Sequence, residues 1–375
     1  MQNYNPGLEG VVVATTEISF IDGNEGRLLY RGYDINDLVQ ASYEEVVYLL
    51  WNGNLPTAPQ LEQFNRELVS ERQVPGEILD LIAKYPQTAT PMEIMRTAMS
   101  ALSGFDPEAH DLGPEANRRK AIRIVSKAAT ILAAIGRTRS QGAIVEPDPD
   151  LKHAANFLWM LFGARAEDYH IAAMDRSLTL HADNEMNAGT FAARVTASTM
   201  SDMYSAVTSA IGTLKGPLHG GANEAVMRML LEIGEEGQAE SYVRNALLQK
   251  KRIPGFGHRI YQTEDPRAVQ LRQILEQQSK RAGNAKWFTI CRLVEGTMNK
   301  EKGLYPNVDF YAAPSLYMMG VPVDLFTAVF AMSRTAGWTA QITEQYAHNR
   351  LIRPEGEYVG PIRRTFVPLE RRDAQ

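Results

Sequence analysis

Cysteine is almost missing from this chain. Cys291 is the only one in 375 residues, so no intrachain disulfide and no cysteine-rich zinc site can form, which suits a reducing compartment. Cys291 itself reads as a small buried hydrophobe. Long apolar runs are missing too: the best stretches, 128–135 and 157–162, fall far short of the roughly 20 residues that cross a bilayer. The first ten residues hold no basic stretch followed by an apolar one, so no secretory signal is read and a cytoplasmic protein is expected. Charge of one sign is also scarce. Lys and Arg number 39 against 44 Asp and Glu, a net charge of −5, and no block of like charges occurs, which disfavours a nucleic-acid groove or an acidic tail. Neither a Gly-x-x-x-x-Gly-Lys-Ser/Thr loop nor a strand followed by Gly-x-Gly-x-x-Gly is present, and His181-Ala182-Asp183-Asn184-Glu185 does not fit the zinc-protease pattern. No metal and no dinucleotide fold are therefore expected. No long Gly/Ser or Pro-rich linker divides the chain, and no fixed repeat period runs through it.

What is present is an ordinary soluble composition, 44% apolar and 22% charged, on a chain long enough to bury a sizeable core. Residues 11–13 and 18–21 are β-branched runs, and a turn separates them from 28–32, which predicts a small antiparallel ribbon. Beyond it the pattern is helical. Ser42-Tyr43-Glu44-Glu45 has the form of a capping box, and Tyr43, Val46, Val47 and Leu50 follow at helical spacing before Gly53 and Pro56. Similar windows cover 61–68, 119–135, 154–162, 169–180, 188–211, 222–233, 268–278, 287–298 and 326–346. The expected fold is mainly α, with loops at 139–150, 215–221, 252–265 and 303–314.

Three of those loops carry chemistry. His219 lies among glycines just before the window that opens at Ala222. A helix N-terminus disfavours imidazolium, and a neutral imidazole there can donate to a forming enolate oxygen; the plain alternative is a histidine that caps the turn. In Pro254-Gly255-Phe256-Gly257-His258 the glycines let backbone approach a ligand closely. Asp265-Pro266-Arg267 reads as an N-cap, a proline at N1 and a first-turn arginine, which alone would be a solvated residue. Asp309 is wedged between Val308 and Phe310, where lost hydration would strengthen it as a base, unless it is simply a helix N-cap. Arg334 and Arg353 supply further guanidinium groups of the kind that pair with carboxylates, although each alone reads as a surface or salt-bridge residue.

Taken together and in this order, Gly216-Pro217-Leu218-His219-Gly220-Gly221-Ala222-Asn223, Pro254-Gly255-Phe256-Gly257-His258, Asp265-Pro266-Arg267, Pro306-Asn307-Val308-Asp309 and Ser333-Arg334-Thr335-Ala336-Gly337-Trp338 resemble the citrate synthase family. The match runs from Pro6 to Pro361. The resemblance implies a two-domain, almost wholly helical homodimer, with a large domain of residues 1–220 and 321–375 and a small domain of 221–320. It implies condensation of acetyl-coenzyme A with oxaloacetate, then thioester hydrolysis to citrate and coenzyme A, in a cleft that oxaloacetate closes. The coenzyme A thioester is a substrate, with no permanently bound cofactor. By the same carry-over Asp309 takes the acyl α-proton, His219 stabilises the enolate and His258 polarises the oxaloacetate carbonyl. His181, Asn184, Arg267 and Arg334 bind oxaloacetate together with Arg353 from the partner subunit, and Ile253, Pro254, Gly255, Phe256 and Gly257 face coenzyme A.

One position departs from the family pattern. Many members have His-x-x-His-Glu where this chain has His181 followed by Asn184 and Glu185; asparagine is shorter than histidine and cannot take up a proton, so oxaloacetate affinity is the property it affects. Tyr311-Ala312-Ala313-Pro314 and the tail 364–370 are similar to the 2-methylcitrate synthase branch, which uses propionyl-coenzyme A, or to dual-specificity members. An alternative of another class, a catalytically weakened homologue acting as sensor or assembly subunit, is motivated by Asn184.

Overall fold

Sixteen α-helices, five short 3-10 helices and one three-stranded sheet make up the regular structure of residues 5–372, the part of the chain that this computed structural model describes. Strands β1 (Ser19–Asp22), β2 (Arg27–Tyr30) and β3 (Tyr33–Asp34) pair antiparallel in sequence order, with Phe20 opposite Leu29 and Ile21 opposite Leu28. The ribbon is thus where the β-branched pattern put it, although residues 11–13 stay outside the sheet. Alternation sends Ile21, Leu28 and Tyr30 into the core.

After the short α1 (Ile35–Leu38) comes α2 (Tyr43–Asn52), whose capping box forms as read. The Ser42 hydroxyl accepts from the Glu45 N–H, the Glu45 carboxylate accepts from the Ser42 N–H at 2.8 Å, and Gly53 ends the helix in the left-handed region. The helices α3 (Ala58–Ser70), α4 (Gly76–Ala83) and α5 (Pro91–Ala101) pack around the long α6 (Pro114–Arg139), and α7 (His153–Phe162) and α8 (Asp168–His181) extend that layer. The stretch 188–211, read as one helix, is two. α9 (Ala188–Ser198) and α10 (Met203–Leu214) are parted by a turn in which Met200 takes φ 64° and the Asp202 carboxylate accepts from the Ser205 N–H at 2.9 Å. An aspartate that bonds its own backbone this way starts a new helix rather than continuing an old one.

A second group follows: α11 (Ala222–Ile233), α12 (Ala239–Leu248), α13 (Pro266–Ala282), α14 (Lys286–Lys302) and α15 (Val308–Met318). Within it α11 and α13 flank α15, and α12 packs on α14. The buried α16 (Phe326–Ala347) then returns to lie against α6, α9 and α10. The expected loop at 303–314 is corrected here, because α15 begins at Val308. Every residue from Val308 to Leu316 is buried, so the helix has no polar face to give it a helical period, and Pro314 sits inside it. Among the described residues no helix is long and apolar enough to cross a membrane.

Candidate active site

The two helical groups meet where α8, α11, α15 and α16 come close to the loop that precedes α13, and most of the singled-out side chains gather there. Arg334 lies on the inner face of α16. It is buried, and so is not the surface residue its surroundings suggested; its Nε donates to the His181 carbonyl oxygen at 2.5 Å, while its Nη2 is buried without a hydrogen-bond partner. Burial pulls its pKa down to about 10 although Asp183 opposes that. At the C-terminal end of α8, the His181 ring donates from Nδ1 to the Ser177 carbonyl at 2.7 Å and meets Phe330 edge-on. Burial lowers its pKa to about 3, so the ring is neutral and its Nε2 is an acceptor.

Arg267 is buried as well. Its guanidinium makes a two-pronged pair with Asp265, 3.0 Å from Nε to Oδ1 and 2.8 Å from Nη2 to Oδ2, while the same Oδ1 caps α13 by accepting from the Arg267 N–H. The expectation of a solvated first-turn arginine is corrected: burial alone would depress its pKa, but Asp265 more than offsets that. Sequence reasoning read Asp265 only as a cap. Its placement two residues before an arginine, across one proline, was the available signal for the pair.

His258 sits in the loop just upstream. Its Nδ1 accepts from the backbone N–H groups of Ile260 and Tyr261, at 3.1 and 3.2 Å, which fixes the ring proton on Nε2. Burial, then the nearby Arg267 charge, lowers its pKa to about 4. His219 lies in the tight turn before α11. There burial, with a lesser push from Arg334, lowers the pKa to about 4, and Nε2 is buried with no partner. The neutral imidazole expected at this helix start is found, with burial as its first cause.

Asp309 occupies the first turn of α15, and the cap is its neighbour Asn307, whose side chain accepts from the Asp309 N–H at 3.1 Å. The carboxylate is buried, and Oδ1 has no partner. Desolvation raises its pKa from 3.8 to about 7 against the pull of Arg267 and Arg334. The segment 253–257 is stitched to the start of α15: the Gly257 N–H donates to the Tyr305 carbonyl at 3.0 Å, the Asn307 N–H to the Gly255 carbonyl at 2.9 Å, and the Phe256 ring packs at a tilt against Phe310. Ile253 and Phe256 are buried, Pro254 is half-buried, and Gly255 and Gly257 hold φ near +80°.

Asn184 is half-buried in the turn after α8, and its side-chain oxygen also lacks a partner. That turn is anchored by Tyr30, whose hydroxyl donates to the Asp183 carbonyl at 2.7 Å, and by Ser19, whose hydroxyl donates to the Asp183 carboxylate. Tyr30, Ser19 and Asp183 were not singled out, because contacts 150 residues apart leave no local pattern. Arg353 is not brought to the cluster within this chain. It lines a separate open groove of about 1010 Å³ between the segments 8–17 and 343–354, together with Arg194 and Arg350. None of the clustered residues lines that groove.

Partnerless buried polar atoms are costly, and they collect where a ligand completes their hydrogen bonding. Here Asp309 Oδ1, His219 Nε2 and Arg334 Nη2 do so, with the neutral His258 imidazole and the Asp265-paired Arg267 guanidinium beside them. That set can move a proton from carbon, stabilise an oxyanion and hold carboxylates. Among the described residues no group of three or more His, Cys, Asp or Glu side chains is placed to hold a metal ion.

The family model described as "Citrate synthase, C-terminal domain" matches residues 7–355. A citrate synthase of Haloferax volcanii is 48% identical over 98% of both chains, and a citrate/2-methylcitrate synthase of Bacillus subtilis is 42% identical over 96% of this chain and 97% of its own. Among solved structures, the ternary complex of Thermoplasma acidophilum citrate synthase with carboxymethyl coenzyme A and oxaloacetate superposes with a TM-score of 0.93 at 34% identity, covering 98% of this chain and 99% of that one.

Proposed function

The chain belongs to the citrate synthase family, and on that premise we propose that it condenses acetyl-coenzyme A with oxaloacetate and hydrolyses the resulting thioester to citrate and coenzyme A. In this reading Asp309 Oδ1 takes a proton from the methyl carbon of the thioester. His219 donates a hydrogen bond from Nε2 to the oxygen that becomes the enolate. The enolate carbon then attacks the keto carbon of oxaloacetate. His258, which already carries its proton on Nε2, meets that keto oxygen and stabilises the alkoxide as it forms. Water finally cleaves the thioester, and the thiol leaves. Arg267 and Arg334 hold the oxaloacetate carboxylates, with Asn184 offering an amide donor and His181 setting Arg334 through its carbonyl. Residues 253–257 face coenzyme A, so the pantetheine arm lies beside the strand-like stitch that sets α15.

The observation that carries this reading is the joint burial of Asp309 Oδ1, His219 Nε2 and Arg334 Nη2 without partners. The test is thiol release from acetyl- or propionyl-coenzyme A with oxaloacetate. A higher kcat/KM for the acetyl thioester is expected; no release with either would reject the reading and favour a homologue kept as a sensor. A second reading, a 2-methylcitrate or dual-specificity enzyme, is favoured by the Bacillus subtilis relative. In the Tyr311-Ala312-Ala313-Pro314 motif that suggested it, the Tyr311 hydroxyl donates to Glu295. An added methylene in a pocket changes selectivity by only about 1–3 kcal/mol, so the ratio of the two rates decides between them.

The larger organisation belongs to the same proposal. Residues 1–220 with 321–375 form the large domain and 221–320 the small one, which supports the closure of a cleft between them around oxaloacetate. The enzyme works in the cytoplasm as a homodimer, and Arg353 reaches the partner's site from the exposed segment after α16.

A further inference from the structure

The turn between β1 and β2 makes an unusually close contact far along the chain. Asp22 organises it by accepting from the N–H groups of Asn24 and Glu25, both at 3.0 Å. Gly26 needs its glycine for the left-handed backbone, φ 62°, but Gly23 does not take a positive φ. What excludes a side chain at Gly23 is Ile260: a Cβ there would sit 2.2 Å from the Ile260 carbonyl oxygen and 2.9 Å from its carbon. The Gln262 N–H donates to the Gly23 carbonyl at 2.9 Å, and a Cβ on Gly26 would meet Thr263 at 2.8 Å and the Glu264 carbonyl at 2.9 Å. The turn therefore grips the backbone of 260–264 along its length.

That stretch joins His258 to Asp265. The Ile260 and Tyr261 N–H groups fix the tautomer of His258, and Asp265 holds Arg267. One residue, Ile260, thus orients the imidazole with its N–H and abuts Gly23 with its carbonyl. The N-terminal region also reaches this loop through the Arg259–Glu9 pair at 3.5 Å, whose exposure makes it weak.

We propose that the β1–β2 turn is a clamp that seats on residues 260–264 when the small domain closes and so sets His258 and Arg267 against oxaloacetate, with Gly23 as the positioning residue. The clamp rests on the reading that this enzyme closes around oxaloacetate. Gly23→Ala fits the local backbone but not the seated loop, so the open arrangement is favoured. The expected result is a KM for oxaloacetate raised by about tenfold or more, a smaller loss in kcat, and a melting temperature of the free enzyme within about two degrees of the unaltered protein. An unchanged oxaloacetate KM overturns the proposal, and so does a fall in melting temperature and kcat with KM unmoved. A second measurement needs no variant. Hydrogen exchange in peptides covering 20–27 and 258–265 should slow together when oxaloacetate is added to the unaltered protein; slowing in the loop with none in the turn overturns the clamp. Absence of thiol release from the unaltered protein would instead reject the underlying activity, which keeps the two failures apart.

Discussion

At Asp309, burial and neighbouring charge pull in opposite directions, and burial wins: two arginines lie close enough to lower the pKa, yet it stands near 7. At the two imidazoles burial and the arginines act together, so both rings stay neutral above pH 5. One site therefore holds a base that titrates near neutrality beside donors that do not titrate there at all. Asn184 is the position at which the sequence reading set this chain apart from the His-x-x-His-Glu pattern of many family members. The residue is half-buried and its side-chain oxygen is buried without a partner, and a histidine there would bring a ring nitrogen able to donate to the ligand. Asn184→His is expected to lower the KM for oxaloacetate by about threefold to tenfold with little change in kcat, as measured by initial rates; an unchanged KM would contradict the role given to this position.

Among the elements, α15 matters most, because it sets the height and rotation of Asp309. It is held at its start by the stitch from 253–257, and further along by Tyr311, whose hydroxyl donates to Glu295 while Glu295 pairs with Arg272 at 2.8 Å and Arg272 with Glu264 at 2.6 Å. Gly255 sits under this contact with φ 81°, and an added Cβ would come within 2.7 Å of Val226 and 3.0 Å of Phe310. Gly255→Ala is expected to cost about 2–4 kcal/mol of stability through the strained backbone and the overlap with α15, and to lower kcat in the fraction that folds; chemical denaturation and rate measurements check both. The helices with one polar face, such as α2 and α11, were legible from spacing, and α2 also from its caps. α15 was not: it is buried on all sides, carries Pro314 inside it and has only 11 residues, whereas the equally buried α16 has 22 and so stood out by length. For the site, the residue types and their order were legible through the five motifs, whereas the burial of Arg267 and Arg334 was not. A guanidinium on a helix reads as exposed unless its partner is known, and the elements packed around Arg334 are supplied by segments up to three hundred residues away.

Over the whole molecule, the open groove beside Arg353 and the exposed segment after α16 are consistent with a site completed by a second copy. Light scattering should give twice the chain mass of 41.8 kDa. Complementation gives a sharper result. Asp309→Asn and Arg353→Ala are each expected to be nearly inactive as pure proteins. If Arg353 serves the partner's site, mixing and reassembling the two should recover activity, because one of the two sites in a mixed dimer then holds both native residues. No recovery, despite demonstrated mixed dimers, would place Arg353 in its own chain's site or outside any site.

The pH dependence of kcat/KM between pH 5 and 9 tests the central claim most directly, since it reports ionisations in the free enzyme. A base must be ionised to act, so activity should rise with pH through about 7, follow the Asp309 carboxylate, and level off above it without a histidine limb in that range. Asp309→Asn should lose about 10²- to 10⁴-fold in rate and the limb with it. A flat profile, or an Asp309→Asn variant within about tenfold of the unaltered enzyme, would contradict the assignment of Asp309 as the base.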